Sequence, residues 1–593
     1  MSTLFFDFET TNLDKGSALN KDNHIVMVAW TLDNGPVYHE FGNEFGLPRF
    51  RKALESATTL VAHNAKFELQ WLTRMGVEWV DEFLEDTMLM AYVLAGNRKW
   101  DLSLDGLAAK YGLGKKHEAV SGMIGAGICP SLIPNTLLAE YCMQDVILTR
   151  SLYLILDNEL TRNTMQHIAY TRHDLCKVLA DVETKGIKFD IRRTIEERDA
   201  AIKRFSELQA ALDALSGGLN WSSPKQIAEY LYGRLGFREA TLANGEPDRT
   251  DAGQPRTDQE TILGLRATRK DQKEFLSIYG EFAGLKKRVQ TLSKLGLACE
   301  EADGIIHVNY NQSVTQTHRL SSSGRKYKVQ GQNIDRDMKR LVVAHDPDFY
   351  VMEADGVQLE FRGGAQLTGD PVAIKDIVEK KDIHKFSGSV IFQKPESEIV
   401  GELRTAAKAH TFKPLFNGNS GTPREKAYYA AFRERYNVMY NTQRSWAFKV
   451  LAKGELRTDY GMRFYWPNTK MTESGYITNS TNIFNYPIQS FCTAEVIPIS
   501  TAMLWYKLKA KKMRSYIFNS VHDSVVLCVH KDEVDEVVNM VKESFCEETV
   551  KQIETMYEYQ IRVPLGVEIK VGTYWGDGSL KKVTYEYYNG EYI

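Results

Sequence analysis

SYIFNSVHDSVVLCVHKDEV, residues 515–534, sets two runs of apolar and β-branched residues on either side of His522-Asp523-Ser524. That pattern predicts a β-hairpin with a carboxylate at its tip. Asp523 is flanked by Val521 and by Val525-Val526-Leu527, and a carboxylate in such company is costly to desolvate unless a cation sits beside it. An acid in a hairpin turn is more often a solvated tip. A metal-binding role needs a second carboxylate at the same spot, and YVMEADGVQLEFRGGAQLTGD, residues 350–370, offers one where a short apolar strand ends at Asp355. Neither acid has a cationic neighbour in sequence, so Asp355 and Asp523 are read as a pair of metal ligands.

Between them lies GELRTAAKAHTFKPLF, residues 401–416, in which Arg404, Lys408 and Phe412 recur every four residues and line one helical face. Standing alone, such a face is a solvated helix side with one aromatic. Two cations and a ring are also what a nucleoside triphosphate needs, charge for its phosphates and a flat surface for its base. Pro414 should break the last turn of this helix near His410, because its ring clashes with that carbonyl and it donates no hydrogen bond.

A second group of acids stands near the start of the chain. In TLFFDFETTNL, residues 3–13, alternation puts Asp7 and Glu9 on one face of a strand and Phe6 and Phe8 on the other. VAHNAKFELQWL, residues 61–72, is read as helical, with Asn64 and Glu68 one turn apart, and YCMQDVILT, residues 141–149, sets Tyr141 and Asp145 at the same spacing. Three separate segments thus present acids able to converge.

The chain of 593 residues is too long for one core, and with 43% hydrophobic and 25% charged residues it has the composition of a globular protein. Seven scattered cysteines with no C-x-x-C pair suit a reducing cytoplasm and argue against a zinc site. MSTLFFDFET meets an acid at position 7 and lacks a basic stretch, so no signal peptide is expected, and no apolar run approaches a membrane span. A net charge of -3 neither suggests nor excludes nucleic acid. A helical pattern without Gly or Pro runs through residues 150–165, and ANGEPDRTDAGQPRTD, residues 243–258, reads as a mobile surface loop.

The D-x-E strand, the N-x-x-x-acid segment and the Y-x-x-x-D helix, in that order, resemble the three motifs of the 3′-to-5′ proofreading exonucleases. By that resemblance Asp7, Glu9 and Asp145 would hold two divalent metals and Tyr141 would orient the attacking water. The second motif normally ends in Asp; Glu68 is one methylene longer, and would reach the second metal directly or through a water. The segments around Asp355, Lys408 and Asp523 resemble motifs A, B and C of the family A DNA polymerases. NWSSPKQIAEYLYGRLGF (220–237), NQSVTQTHRLSSS (311–323), KDIHKFSG (381–388) and TNIFNYPIQSFCTAE (481–495) look like further segments of that family.

The resemblance implies an α/β, RNase H-like exonuclease domain over 1–155 followed by an α+β right-hand polymerase over 156–593. Within the latter, the thumb would cover about 165–300, the palm 301–380 and 481–593, and the fingers 381–480. It implies two Mg²⁺ per active site, with Mn²⁺ as a substitute, held in the polymerase by Asp355, the Gly356 carbonyl and Asp523. Arg404, Lys408 and His384 would bind the triphosphate, with Lys408 a proton donor to pyrophosphate, Phe412 near the sugar and base, and Phe416 near the template. Arg319, Gln358, Asn485, Gln489 and His522 would contact substrate, primer and template. Glu360, five residues after Asp355, would occupy the space of a 2′-hydroxyl and exclude ribonucleotides. Ser524 stands where the family has a second acid, a departure shared with single-subunit RNA polymerases, which are the alternative reading together with a nuclease whose polymerase-like half only binds DNA. Primer-template DNA and dNTPs are the implied partners, with a processivity factor or helicase-primase as possible additions. With no 5′-nuclease segment found, the layout is similar to bacteriophage replicative enzymes, and the resemblance implies a cytoplasmic protein, in the host cell cytoplasm if viral. In EFAGLKKRVQTLSKLG (281–296), Phe282, Leu285, Val289, Leu292 and Leu295 form an apolar stripe, with Lys286, Lys287 and Arg288 expected on a solvated, duplex-facing side.

Overall fold

Alternation in TLFFDFET produces β1 (Thr3–Thr10) in the computed structural model, with Phe6 and Phe8 buried against Phe50 and with Asp7 and Glu9 half-buried on the other face. The structure describes residues 2–114, 118–241 and 246–593. They form two units, one of Met1–Ile187, His307–Lys326 and Gln330–Ile593, the other of Lys188–Ile306 and Tyr327–Val329.

In the first unit β1 pairs antiparallel with β2 (Ile25–Leu32), which pairs antiparallel with β3 (Tyr38–Phe41). On its other side β1 runs parallel to β4 (Thr59–Ala62), and β4 parallel to β5 (Phe83–Asp86), giving the order β3-β2-β1-β4-β5. Helices α1 (Lys66–Arg74) and α2 (Thr87–Ala95) follow β4 and β5, and α3 (Asn135–Asn163) packs across β1 and β2. This is the α/β exonuclease fold that the sequence implied. The pattern over 150–165 is helical as read: it forms the end of α3, then turns at Thr164, whose φ is 52, into α4 (Gln166–Lys185).

In the second unit α5 (Ile191–Ser216) packs along α6 (Lys270–Glu301), enclosing Leu212, Leu231, Phe275 and Phe282. Phe282, Leu292 and Leu295 are buried and Lys286 and Lys287 exposed, as expected. Arg288 is not on the solvated side: it is half-buried and pairs with Glu197 at 3.1 Å. It lies three residues after Leu285 and four before Leu292, which puts it on the stripe and not opposite it. In the stretch 243–258, residues 243–245 lie outside the described residues. The remainder is mostly exposed, with Asp248, Pro255 and Thr257 half-buried, and is held by bridges from Thr241 to Pro247 and Arg249 to Pro255, and by an ion pair from Arg256 to Asp248 at 2.7 Å.

The first unit also contains an antiparallel sheet of β6 (Phe349–Gly356), β7 (Tyr516–Val521), β8 (Ser524–His530), β9 (Leu565–Gly572), β10 (Lys581–Tyr588) and β11 (Glu591–Tyr592), in the order β7-β8-β6-β9-β10-β11. β6 lies inside the sheet, with Val351, Met352 and Ala354 fully buried. The helices that bring the remaining motifs are α7 (Leu359–Thr368), α8 (Ile383–Phe392), α9 (Gly401–Thr411) and α10 (Ser480–Ser490). A Cβ on Gly363 of α7 would come within 2.3 Å of Cys492 Sγ, so glycine there allows α7 to approach the chain leaving α10. As Pro414 predicts, α9 stops at Thr411 and the proline opens a separate 3₁₀ turn, Pro414–Phe416. Among the described residues no helix is long and apolar enough to cross a membrane.

Candidate active site

Two carboxylate centres emerge. In the first, β1 presents Asp7 and Glu9 toward α3, and ligand atoms of Asp7, Glu9 and Cys142 lie within 4.8 Å of one another. Glu68 enters from α1, 3% exposed, with Oε2 lacking a hydrogen-bond partner. Burial, then the charges of Asp7, Asp86 and Glu9, push its carboxyl well above the usual carboxylate range. Tyr141 and Asp145 are buried one turn apart on α3. The charge of Asp145 joins those of Asp7 and Glu9, after burial, in raising the Cys142 thiol. Oxygen donors so crowded that one resists ionisation fit a divalent cation.

Asn64 does not share a helical face with Glu68, contrary to expectation. It precedes α1 in a left-handed conformation, φ 66, which Asn tolerates better than most residues. The reason is Asp86, which the sequence reading missed. Its carboxylate, 1% exposed, accepts from Asn64 N–H at 3.1 Å and Ala65 N–H at 2.8 Å while capping α2 through Met88 N–H at 2.9 Å. One side chain therefore fixes the turn from which Glu68 is delivered. The sequence signal was an acid immediately before an apolar helix, the mark of an N-cap.

In the second centre β6 runs antiparallel to β8 with Asp355 opposite Ser524, and Gly356 N–H donates to the Asp523 carbonyl oxygen at 3.0 Å. The predicted hairpin is thus present and its tip is tied to the end of β6. His522 takes a left-handed φ of 57 in the tight turn, a cost of order 1 kcal/mol for a non-glycine residue. Burial, then Asp523 and Glu353, push Asp355 up to about 7, against the pull of Lys570 and Lys339. Burial also raises Asp523, and burial followed by the Asp523 charge raises Glu360, which Arg319 and a hydrogen bond with Gln489 partly offset. The charge of Arg319 thus favours the ionised forms of Asp523 and Glu360. It also acts on His522, whose imidazole is held down to about 4 by desolvation, then by Arg319 and Lys339. The donor chemistry again fits divalent cations.

Ser524 Oγ donates to the Val521 carbonyl at 3.0 Å. Other carboxylates share that face. Glu353, two residues before Asp355, meets Lys339 at 3.0 Å and accepts from Trp575 Nε1 at 2.7 Å, and Glu568, opposite Asp355 on β9, pairs with Lys570 at 2.7 Å. Period-two alternation in YVMEADG would have placed Glu353 beside Asp355; its cationic partners are remote in sequence.

The helical residues form a third group. Arg404 Nε donates to Asp382 at 2.7 Å, and Asp382 also caps α8 through His384 N–H. His384 Nδ1 lies 3.0 Å from Thr411 Oγ1, and its ring is pushed down by burial, then by Arg404, with Lys408 adding to the effect. Lys408 is exposed, and Phe412 at the end of α9 stacks on Phe361 with centroids 5.9 Å apart. Phe416 is half-buried in the turn that follows α9. Gln358 is exposed, with a left-handed φ of 47, and starts α7. Asn485 and Gln489 lie one turn apart on α10, and Asn485 Oδ1 is buried without a hydrogen-bond partner.

Residues 1–161 match the 3'-5' exonuclease family model and residues 193–577 that of DNA polymerase family A. DNA polymerase I of Rhizobium leguminosarum is 26% identical over 554 residues, covering 90% of this chain and 52% of the relative. DNA polymerase I of Pseudomonas aeruginosa is 25% identical, covering 96% and 63%. The chain spans about half the length of the first curated relatives it matches. These relatives are bacterial and give no support to a phage assignment. The fold is that of the POL domain of Pol1 from M. smegmatis, solved in complex with DNA primer-template and dNTP, with a TM-score of 0.77, 21% identity, and coverage of 96% of this chain and 95% of that one. Matched by the polymerase model over more than half of its length, the chain belongs to DNA polymerase family A.

Proposed function

We propose that the chain is a template-directed DNA polymerase that extends primer 3′ ends with dNTPs and removes mispaired 3′ ends in a separate exonuclease centre. The observation that carries this reading is the Asp355–Asp523 pair, drawn together by the Gly356 N–H bond beside a half-buried Glu360. Asp355, Asp523 and the Gly356 carbonyl would hold Mg²⁺ or Mn²⁺ in the polymerase, and Asp7, Glu9, Glu68 and Asp145 in the exonuclease. When bound, paired divalent ions activate the attacking oxygen and neutralise charge on the leaving one at phosphorus.

The chain's own residues do the rest. Arg404, oriented by Asp382, joins His384 and Lys408 in presenting positive charge to the triphosphate, with Lys408 free to give a proton to departing pyrophosphate. Phe412, backed by Phe361, offers its ring to the sugar. Glu360 fills the space that a 2′-hydroxyl would need, which favours DNA synthesis over the RNA polymerase reading. Arg319, His522, Asn485 and Gln489 address primer and template, where minor-groove acceptors are nearly the same for every correct pair and so report geometry. In the exonuclease Tyr141 orients the attacking water. The domain division and residue roles implied by the motifs are part of this proposal.

The test is extension of a labelled primer with dNTPs or rNTPs, from matched and mismatched 3′ ends. Extension by dNTPs in strong preference to rNTPs, with trimming of the mismatch first, is expected. Equal use of rNTPs, or no extension from any primer, refutes the proposal.

A further inference from the structure

The exonuclease centre contains a donor that oxygen-only metal binding does not require. Cys142 follows Tyr141 on α3, is fully buried, and has Sγ 3.4 Å from the Asp7 carbonyl oxygen and 3.5 Å from Asp7 Oδ2. A tetrahedral ion with sulfur at about 2.3 Å and a carboxylate oxygen at about 2.0 Å sets those two donors about 3.5 Å apart. The spacing is that of two ligands on one ion. An independent observation points to the same place: Glu68 Oε2 is buried without a hydrogen-bond partner, on a side chain whose charge is opposed by Asp7 and Glu9.

We infer that Cys142 Sγ is a further metal ligand of this centre, which therefore takes thiophilic divalent ions of the Zn²⁺ and Cd²⁺ class, with Asp7 and Glu9 as the oxygen donors grouped with it. The inference rests on reading the cluster as a metal site. As the sulfur–metal bond forms, the thiol S–H bond breaks and its proton leaves to solvent; no electrons are exchanged. Mg²⁺ prefers oxygen and retains waters, whereas a thiolate beside two carboxylates favours the softer ions. A thiol that serves only as a hydrogen-bond donor to Asp7 is the competing account.

The experiment is a Cd²⁺ titration of the full chain, following the ultraviolet thiolate-to-cadmium charge-transfer band, with Mg²⁺ binding measured by calorimetry and assigned to this centre by its loss in Asp7→Asn. A saturating band is expected in the parent and none in Cys142→Ser or Cys142→Ala. The ratio of Cd²⁺ to Mg²⁺ affinity should fall roughly tenfold or more in those variants. A band of parental size in either variant, or no band in a parent that binds Mg²⁺ at Asp7, overturns the cysteine assignment alone. A parent with no Asp7-dependent binding of either ion overturns both the inference and the metal-site reading beneath it.

Discussion

Asp86→Ala is expected to silence excision while sparing extension. The Asp86 carboxylate accepts from Asn64 N–H at 3.1 Å, Ala65 N–H at 2.8 Å and Met88 N–H at 2.9 Å, so it caps α2 and pins the turn that launches α1 with Glu68. Loss of a helix cap costs about 1 kcal/mol. Ala65 is 1% exposed, and orphaning its N–H adds about 1–3 kcal/mol. A local loss of about 2–4 kcal/mol releases Asn64 from its left-handed conformation and lets Glu68 shift. Displacing a catalytic carboxylate by about 1 Å costs on the order of 100-fold in rate. Single-turnover excision of a mismatched 3′ nucleotide should therefore drop about 100-fold, while matched-primer extension, from a separate centre, stays within about threefold. Asp86→Asn keeps one acceptor oxygen and should recover part of the loss. Parental excision in Asp86→Ala, or an equal fall in both activities, refutes the reasoning.

Asp355→Ala or Asp523→Ala should abolish extension and leave 3′-end degradation intact, measured on one labelled primer; surviving extension would exclude the residue as a ligand. Glu360→Ala should raise ribonucleotide incorporation, by about 1–3 kcal/mol of lost discrimination if the gate is steric; an unchanged dNTP-to-rNTP ratio removes the gate. Asp355, pushed up to about 7, gives the metal-free protein stability that is present below the usual Asp range and lost as pH rises toward 7. A bound divalent cation reverses that penalty, so the rise in Tm on adding Mg²⁺ should be larger at pH 8 than at pH 6. An equal rise at both pH values contradicts the coupling of Asp355 to the metal.

The hairpin around Asp523 and the strand ending at Asp355 were legible because alternation is a local property, and sheet pairing then brings both acids to one place. The end of α9 was legible for the same kind of reason: Pro414 breaks a helix whatever surrounds it. Arg288 was misread although its spacing was in view, since a charge three and four residues from apolar neighbours shares their face. Asn64 was misread because helix periodicity was extended one turn too far, across a turn held by Asp86 twenty-two residues away.

From the sequence alone came the periods, the helix and strand breakers, and the order in which acids, cations and aromatics succeed one another. These nominated both carboxylate centres, because backbone sterics and side-chain direction act between near neighbours; the α/β and α+β regions came from the resemblance of those motifs, in that order, to known families. Only the tertiary structure decided which partners the acids of these centres meet: Lys339 and Trp575 on Glu353, and Cys142 against Asp7. Such contacts join residues far apart in the chain, and their desolvation and charge depend on ångström-scale packing between elements, which no spacing along one segment encodes.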